Sequence, residues 1–342
     1  DILCLSFSGQ MMGCLLVDRE GKPLRPALIW ADTRAGKQER EMTKRLGMER
    51  VYRLTGHRLS ASYSAAKLLW VREREPEVYK RARKLLQAKD YMVYRLTGRF
   101  ATDYSDASGT NLFDIQRKCW SEEILDAFGI PAGMLPEAFP SATAAGGLLP
   151  QAAAETGLLA GTPVVLGGDG SCACVGAGAV DEGSSYCVLG SSAWISFARR
   201  SPVFDPEMRT FNWVHLDPEL VTPCGTMQAA GLSYNWYRST LCTGEAAEAR
   251  DAGESVYARI DRGAAASAPG AGGVMYLPYL LGERSPRWDH DARGAFLGLS
   301  ASTAKGDMSR AVLEGVGMNL KIILDILERD CPAETLTVIG GG

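Results

Sequence analysis

Asp169 stands alone among glycines, in Gly167-Gly168-Asp169-Gly170, directly after the apolar run Val164-Val165-Leu166. A single carboxylate on a turn with so few side chains can take or orient a proton on a group that approaches closely. A plain turn favours the same residue types, so this segment alone leaves both readings open. Two further glycine turns follow apolar runs. Leu189-Gly190-Ser191-Ser192 offers backbone N–H groups and hydroxyls of the kind that hold phosphate oxygens. Ile339-Gly340-Gly341-Gly342 presents bare backbone on which a nucleotide can lie. Together they point to phosphoryl transfer to a hydroxyl, which needs an acceptor-side carboxylate, donors for phosphate charge and usually Mg²⁺. The chain has no G-x-x-x-x-G-K-[ST], and Gly176-Ala-Gly178-Ala-Val-Asp181 breaks the G-x-G-x-x-G pattern at its last position.

Composition narrows the partners. The 342 residues carry 37 basic and 40 acidic side chains, a net charge of −3, and suffice for about two domains. No basic field is available for nucleic acid and no polybasic patch for a membrane. Nine cysteines are scattered without a C-x-x-C pair, which reads as reduced thiols used for packing in a reducing, cytoplasmic setting. The three histidines, His57, His215 and His290, lie in no triad or metal motif. The first residues read as a strand already inside a sheet and the last as a strand entering a glycine turn, as if cut from a longer protein.

The elements that must position these residues follow from periodicity. Residues 1–30 read as a meander ending in Trp30-Ala31-Asp32, and 34–54 as one helix. Glu75-Pro76-Glu77 opens a further helix, Pro76 suiting its first turn. The charge run from Arg72 to Lys89 reads as a solvated helix face, and Asp90–Thr97 as helix ending at Gly98. Thr102–Phe113 reads as a polar, functional loop. Ser121 is the expected N-cap of a helix reaching Phe128. Residues 163–168 form a strand, and 184–198 form two strands around Gly190-Ser191-Ser192. Gly225–Tyr237 reads as a turn opening a helix, 243–272 as weakly patterned, and Ser302–Glu328 as one long helix.

Two longer patterns carry a resemblance. Ser64-Ala-Ala-Lys67-Leu-Leu-Trp70-Val71 matches S-x-x-K-hydrophobic-x-W, departing only where Arg74 ends it. Gly294-Ala-Phe296-Leu-Gly298-Leu299 is followed, seven residues on, by Asp307-Met308-Ser-Arg-Ala311-Val312-Leu313-Glu314. Lys89-Asp90-Tyr91, Thr102-Asp103 to Gly109-Thr110, Leu277-Pro278-Tyr279 and Gly282-Glu283-Arg284 add to these. Across nearly its whole length the chain resembles the FGGY carbohydrate kinases. The resemblance implies an α/β fold of two actin/hexokinase-like (ribonuclease H-like) domains with a cleft between them. They would be a sugar-binding domain over 1–179 lacking its first strands and an ATP-binding domain over 180–342 lacking its last part. It implies a small-molecule sugar and ATP as substrates, Mg²⁺ held mainly by the ATP phosphates with Asp169 nearby, and a possible homodimer. Asp169 becomes the catalytic base. Sugar contacts fall to Gln10, Met11, Met12, Trp30, Asp32 and Gly170. ATP contacts fall to Gly190, Ser191, Ser192, Gly231, Asn235, Gly340, Gly341 and Gly342. The expected reaction is phosphorylation of a ketopentose or related polyol, xylulose first. Another sugar, or binding without catalysis, is the rival.

Three departures bear on the sugar. Met12 stands where His is usual, Ala31 where Asn is usual, and Gly170 where an amide is common. Each removes a hydrogen-bonding group, so the pocket should discriminate sugars differently. Several residues carry a second reading. Trp30 could be core, Asp32 a local helix N-cap, Asp103 and Asp106 the makers of Asx turns, and Lys67 a snorkelling surface lysine. Met11 and Met12 are expected to act through their backbone turn.

Overall fold

The computed structural model describes residues 2–329 and 332–341. Two compact units divide the chain. The first comprises Asp1–Glu182, Ala198–Phe204 and Phe211–Pro223; the second comprises Gly183–Phe197, Asp205–Thr210 and Cys224–Gly342.

In the first unit, the strand Pro163–Val165 lies between Leu5–Ser6, to which it is parallel, and Ala144–Gly147, to which it is antiparallel. Val164 is buried with Leu166, Val93, Ala101 and Ala145. Leu15–Val17 pairs with Lys84–Leu86, so the expected meander over 1–30 is split between two sheets. Its second half survives as bridges from Cys14 to Leu28 and from Val17 to Pro23.

A helical layer packs around Met42, Val51, Leu68, Val71, Ile124 and Phe128. The helix expected over 34–54 forms as two, Gly36–Leu46 and Met48–Thr55, because Gly47 between them takes φ +81°. Ser64–Arg74, Pro76–Arg81 and Glu122–Phe128 join this layer, the last with the Ser121 hydroxyl accepting from Ile124 N as expected, while Ala88–Thr97 packs through Val93 against Val164 and Leu166.

Two expectations fail here for one reason. The charge run 72–89 contains the strand Lys84–Leu86 and ends in Lys89, which is wholly buried. Thr102–Phe113 is no loop: it contains the strand Ala101–Asp103 and the helix Tyr104–Ser108, and several of its polar groups are hydrogen-bonded inside the unit. Asp103 caps that helix, while Ser108 Oγ donates to Ser105 O and Thr110 Oγ1 to Ala107 O. Hydrogen bonds offset the desolvation that burying polar groups costs.

In the second unit, Ser185–Leu189 and Ala193–Phe197 form a hairpin. Val221–Met227 joins the hairpin's second strand through Cys224–Met227, and Thr337–Ile339 runs parallel to the first. Gly225 falls inside a strand, not in the expected turn; the turn lies later, before the helix Gly231–Leu241. The long helix forms over Lys305–Leu327, and its Ile323 and Leu327 cover the sheet with Val316 and Leu320. At Gly225 a Cβ would stand 2.5 Å from Ile323 Cγ2, and at Gly315 it would stand 2.3 Å from Tyr276 O, so glycine sets how closely this helix seats. Residues 243–272, read as weakly patterned, form the helices Thr243–Ala252 and Val256–Ala266. Alanine's high helix propensity needs few buried positions to hold them, here Ala249, Ile260 and Ala264.

Among the described residues no helix is long and apolar enough to cross a membrane. Of the eight described cysteines, five are buried.

Candidate active site

Asp169 is delivered by the central strand Pro163–Val165 and begins the short helix Gly170–Gly176. The turn requires glycine: Gly167 has φ +70°, and a Cβ there would lie 2.4 Å from Phe7 O. Two contacts orient the aspartate. Its carboxylate Oδ2 accepts from Met11 N at 3.1 Å, and its own N–H donates to Asp106 Oδ1 at 3.1 Å. Burial raises its pKa, and the Met11 N–H partly opposes the rise. That environment makes Asp169 a stronger proton acceptor than an exposed aspartate.

Behind Asp169 lies a buried ion cluster. Lys89 Nζ stands 2.9 Å from Asp103 Oδ1, 3.4 Å from Asp90 Oδ1 and 3.5 Å from Asp106 Oδ2. Burial works against the ammonium, but Asp106, Asp103 and Asp90 outweigh it and hold Lys89 above its ordinary value. Burial also pushes Asp106 well up, and its neighbours Asp103, Asp90 and Asp169 add to that against the pull of Lys89. Asp103 is further held by Ser141 Oγ at 2.5 Å and Ser105 N at 3.0 Å. Asp103 thus makes the local turn contacts expected of it, whereas the Asp106 carboxylate faces Asp169 N and Lys89 and anchors the turn of Asp169. The role of Lys89 was missed: in sequence it is the end of a charge run, and the one signal was its place beside the family-like Lys89-Asp90-Tyr91.

The residues expected at the sugar divide into two groups. Gln10 is exposed, whereas Met11 and Met12 are buried against Tyr63 and Trp213. Met12 takes φ +62°, so the turn presents backbone while both thioethers face inward. Trp30 is 48% exposed, which rules out a core role. Asp32 is no helix cap, since the next helix begins at Gly36 after Ala35. It accepts from Arg34 N and pairs with the Arg34 guanidinium; burial opposes ionisation, but Arg34 holds the carboxyl below its ordinary value. A Cβ at Gly170 would meet nothing within 4 Å, so the position usually filled by an amide faces open space. Lys67 overturns the snorkelling reading: it is wholly buried.

The glycine turns of the second unit gather as one cleft. Gly190 and Ser191 close the hairpin, and their carbonyls accept from Gly231 N, Ala230 N and Leu232 N at 2.9–3.1 Å. This ties the turn to the start of the helix Gly231–Leu241. Gly340, at φ +112°, lies flush on the neighbouring strand, where a Cβ would be 2.2 Å from Leu189 O. The cleft has a volume of about 830 Å³. Gly190, Ser191, Gly231, Asn235 and Gly341 line it over an apolar floor of Val312, Val316 and Leu320. Ser192 and Gly340 flank these residues in sequence, and Gly342 lies outside the described residues. Sequence reasoning missed Tyr234, Tyr257 and Asp261 at the same cleft, where the Tyr234 hydroxyl donates to Asp261.

Residues 1–176 match the family model described as "FGGY family of carbohydrate kinases, N-terminal domain", and residues 185–342 match its C-terminal domain. The chain belongs to the FGGY family of carbohydrate kinases. Among relatives of this FGGY chain, xylulose kinase of Bacillus subtilis (strain 168) is 35% identical over 344 residues, covering 100% of this chain and 67% of that protein. Gluconokinase of the same organism is 30% identical over 98% of this chain and 66% of its own length. The crystal structure of ligand-bound xylulose kinase from Lactobacillus acidophilus aligns with a TM-score of 0.90 at 28% identity, over all of this chain and 68% of that one. Gluconate kinase from that organism gives 0.91 at 28% identity, with the same coverage. The fold is therefore α/β with two FGGY domains of the actin/hexokinase-like kind, and the chain spans about two thirds of the length of these relatives.

Proposed function

We propose that this FGGY chain carries the catalytic residues of an ATP-dependent kinase that converts D-xylulose to D-xylulose 5-phosphate. One observation carries the mechanism: a half-buried carboxylate of raised pKa, fixed on a glycine turn by Met11 N and Asp106. In this reading a sugar hydroxyl oxygen bonds to the γ-phosphorus of ATP. The γ-phosphorus bond to the β–γ bridging oxygen breaks, ADP leaves, and the hydroxyl proton passes to Asp169. Met11 N holds one carboxylate oxygen so that the other faces the substrate. Gly190, Ser191 and Ser192 receive the phosphates, Gly231 and Asn235 lie along the ADP moiety, and Gly340 to Gly342 lie along the adenosine. Bound Mg²⁺ supplies charge neutralisation on the phosphates, whose oxygens are its main ligands in this reading, with Asp169 the neighbouring carboxylate. The bare glycines of the cleft leave room for a polyphosphate nucleotide to approach the main chain. The sugar contacts are the Gln10–Met12 turn, Trp30, Asp32 and Gly170. The scattered cysteines, without a C-x-x-C pair, fit a reducing cytoplasm.

A sugar acid such as gluconate is the second reading. It is favoured by the gluconokinase relative and by Met12, whose side chain is turned into the core and offers the sugar no hydrogen bond. ADP release from the full-length protein over a panel of ketopentoses, polyols and gluconate separates the two. On the accepted substrate, Asp169→Asn should lower kcat by about 10²–10⁴, the range for loss of a general base. Retention within about threefold refutes the assignment. Sugar and ATP binding with no ADP release from the wild type would make the protein a silent relative.

A further inference from the structure

Lys67 is the most completely enclosed cation in the sugar-side unit that the mechanism does not use. Its side chain is 0% exposed, and Nζ donates to three backbone carbonyls: Ile29 O at 2.6 Å, Ser62 O at 2.6 Å and Met12 O at 3.0 Å. An ammonium has three N–H donors, so this one is saturated. The three carbonyls come from three separate segments. Met12 closes the turn whose Met11 N–H holds the Asp169 carboxylate. Ile29 opens the turn to Trp30 and Asp32, and its carbonyl also accepts from Asp32 N at 3.0 Å. Ser62 precedes the helix Ser64–Arg74 that carries Lys67 itself. At the start of that helix, Ser64 Oγ donates to Gly13 O at 2.7 Å, a second tie to the first turn.

We propose that Lys67 is a positioning residue that sets the spacing between the two substrate-side turns and, through Met11 N–H, the orientation of Asp169. It touches no substrate in this reading, which rests on the function proposed above. Backbone carbonyls rather than carboxylates are its partners, so it braces the turns without placing a counter-charge in the pocket. A neutral lysine keeps two N–H donors and gains a lone pair, so one of the three contacts would become repulsive. Burial draws Lys67 down to about 8 against the opposing influence of Cys14 and Asp32. Both neighbours hold their state through that range, since burial pushes the Cys14 thiol up to about 12 and Arg34 keeps Asp32 ionised.

The test compares wild type, Lys67→Met and Lys67→Gln in the full-length protein. Hydrogen exchange is followed at residues 11–13 and 29–32, with the helix Gly231–Leu241 as control. Exchange should accelerate about tenfold or more in the two turns and stay unchanged in the control helix, with Lys67→Gln, which keeps two donors, intermediate. In turnover, the sugar KM should rise about tenfold and kcat should fall, with the ATP KM within about twofold. The sugar KM of wild type should also climb as pH passes 8, and this limb should vanish in Lys67→Met. Unchanged exchange in both turns overturns the proposal, as does an ATP KM that moves by the same factor as the sugar KM. Should Lys67→Met fail to fold, Lys67→Gln and the wild-type pH limb decide alone: a flat sugar KM from pH 7 to 9.5 is then the overturning result. Faster exchange in a protein that phosphorylates no sugar would sink the functional reading and leave the brace standing.

Discussion

The two units build their candidate sites from opposite materials. In the first, buried charge does the positioning. Lys67 holds three carbonyls, and Lys89 holds three aspartates, one of which grips the backbone of Asp169. In the second, Gly190, Gly231 and Gly341 stand on the wall of a cleft otherwise lined by side chains such as Tyr234, Asp261, Val312 and Leu320, and hydrogen bonds between main-chain groups tie its turn to the helix. The difference matches the proposed ligands. A sugar hydroxyl needs one carboxylate fixed to within tenths of an ångström, which takes a stiff support. A polyphosphate needs many N–H donors and room to approach, which takes the absence of side chains. The two sites should therefore fail differently, one by losing a charge and the other by gaining a methyl group.

The largest effect should come from Lys89→Met. It leaves Asp90, Asp103 and Asp106 buried without their cation, and breaking such a cluster costs about 3–5 kcal/mol. The sign of its pH dependence follows. Without Lys89 the folded-state pKa of Asp106, already raised, rises further, so the folded form binds more protons than the unfolded one. The variant should regain stability as pH falls and lose it as pH rises. Urea unfolding from pH 5 to pH 8, with hydrogen exchange read on the helix Ala88–Thr97, checks both points. A loss below about 1 kcal/mol without pH dependence would mean the cluster is not what supports Asp169.

Gly340→Ala tests the other material. The added methyl would meet Leu189 O at 2.2 Å in a residue held at φ +112°. Destabilisation above about 1 kcal/mol should follow, because alanine disfavours that conformation and the strand Thr337–Ile339 must shift away. The ATP KM should rise about tenfold, equivalent to ~1.4 kcal/mol, while the sugar KM stays within about twofold. Equal movement of both constants would erase the contrast between a sugar-side and a nucleotide-side site.

What could be read in the sequence follows the same division. Glycine turns after apolar runs are local, so Gly190, Ser191, Gly340 and the Asp169 turn were visible from spacing alone, and the long helix from its 3.6-residue period. The family patterns then assigned them roles. The charged supports were not visible, because their meaning lies in partners far along the chain. Lys67 meets Met12, 55 residues away, and Asp169 meets Met11, 158 residues away. A lysine's sequence neighbours say nothing about three carbonyls waiting for it, so Lys67 read as a surface residue and Lys89 as part of a solvated face. Tyr257 and Asp261 stayed hidden for a related reason: they lie on a helix of the alanine-rich stretch that showed little pattern, while nothing in the spacing of the expected helix Gly231–Leu241 marked Tyr234.

Glu283 asks whether the second unit also relies on buried charge. Its side chain is enclosed, with Oε1 accepting from Arg284 N at 2.8 Å and Gln228 N at 2.9 Å, and Oε2 accepting from Asn319 Nδ2 at 3.2 Å. Burial pushes it up to about 7 despite these donors. A folded-state value above the ordinary 4.5 means that the folded form holds the extra proton between those limits. Its contribution to stability is therefore complete below pH 4.5 and lost as pH rises through 7. Glu283→Gln keeps the shape and the two acceptor contacts, and its amide can donate to Asn319 Oδ1, which has no hydrogen-bond partner. The variant should flatten the fall in unfolding midpoint between pH 5 and pH 8 while leaving both KM values unchanged, the smallest effect of the three. Parallel midpoint profiles for wild type and variant would show that Glu283 does not titrate in this window. A raised ATP KM in the variant would show instead that buried charge supports the nucleotide cleft as it supports Asp169, and the contrast between the two sites would narrow to one of degree.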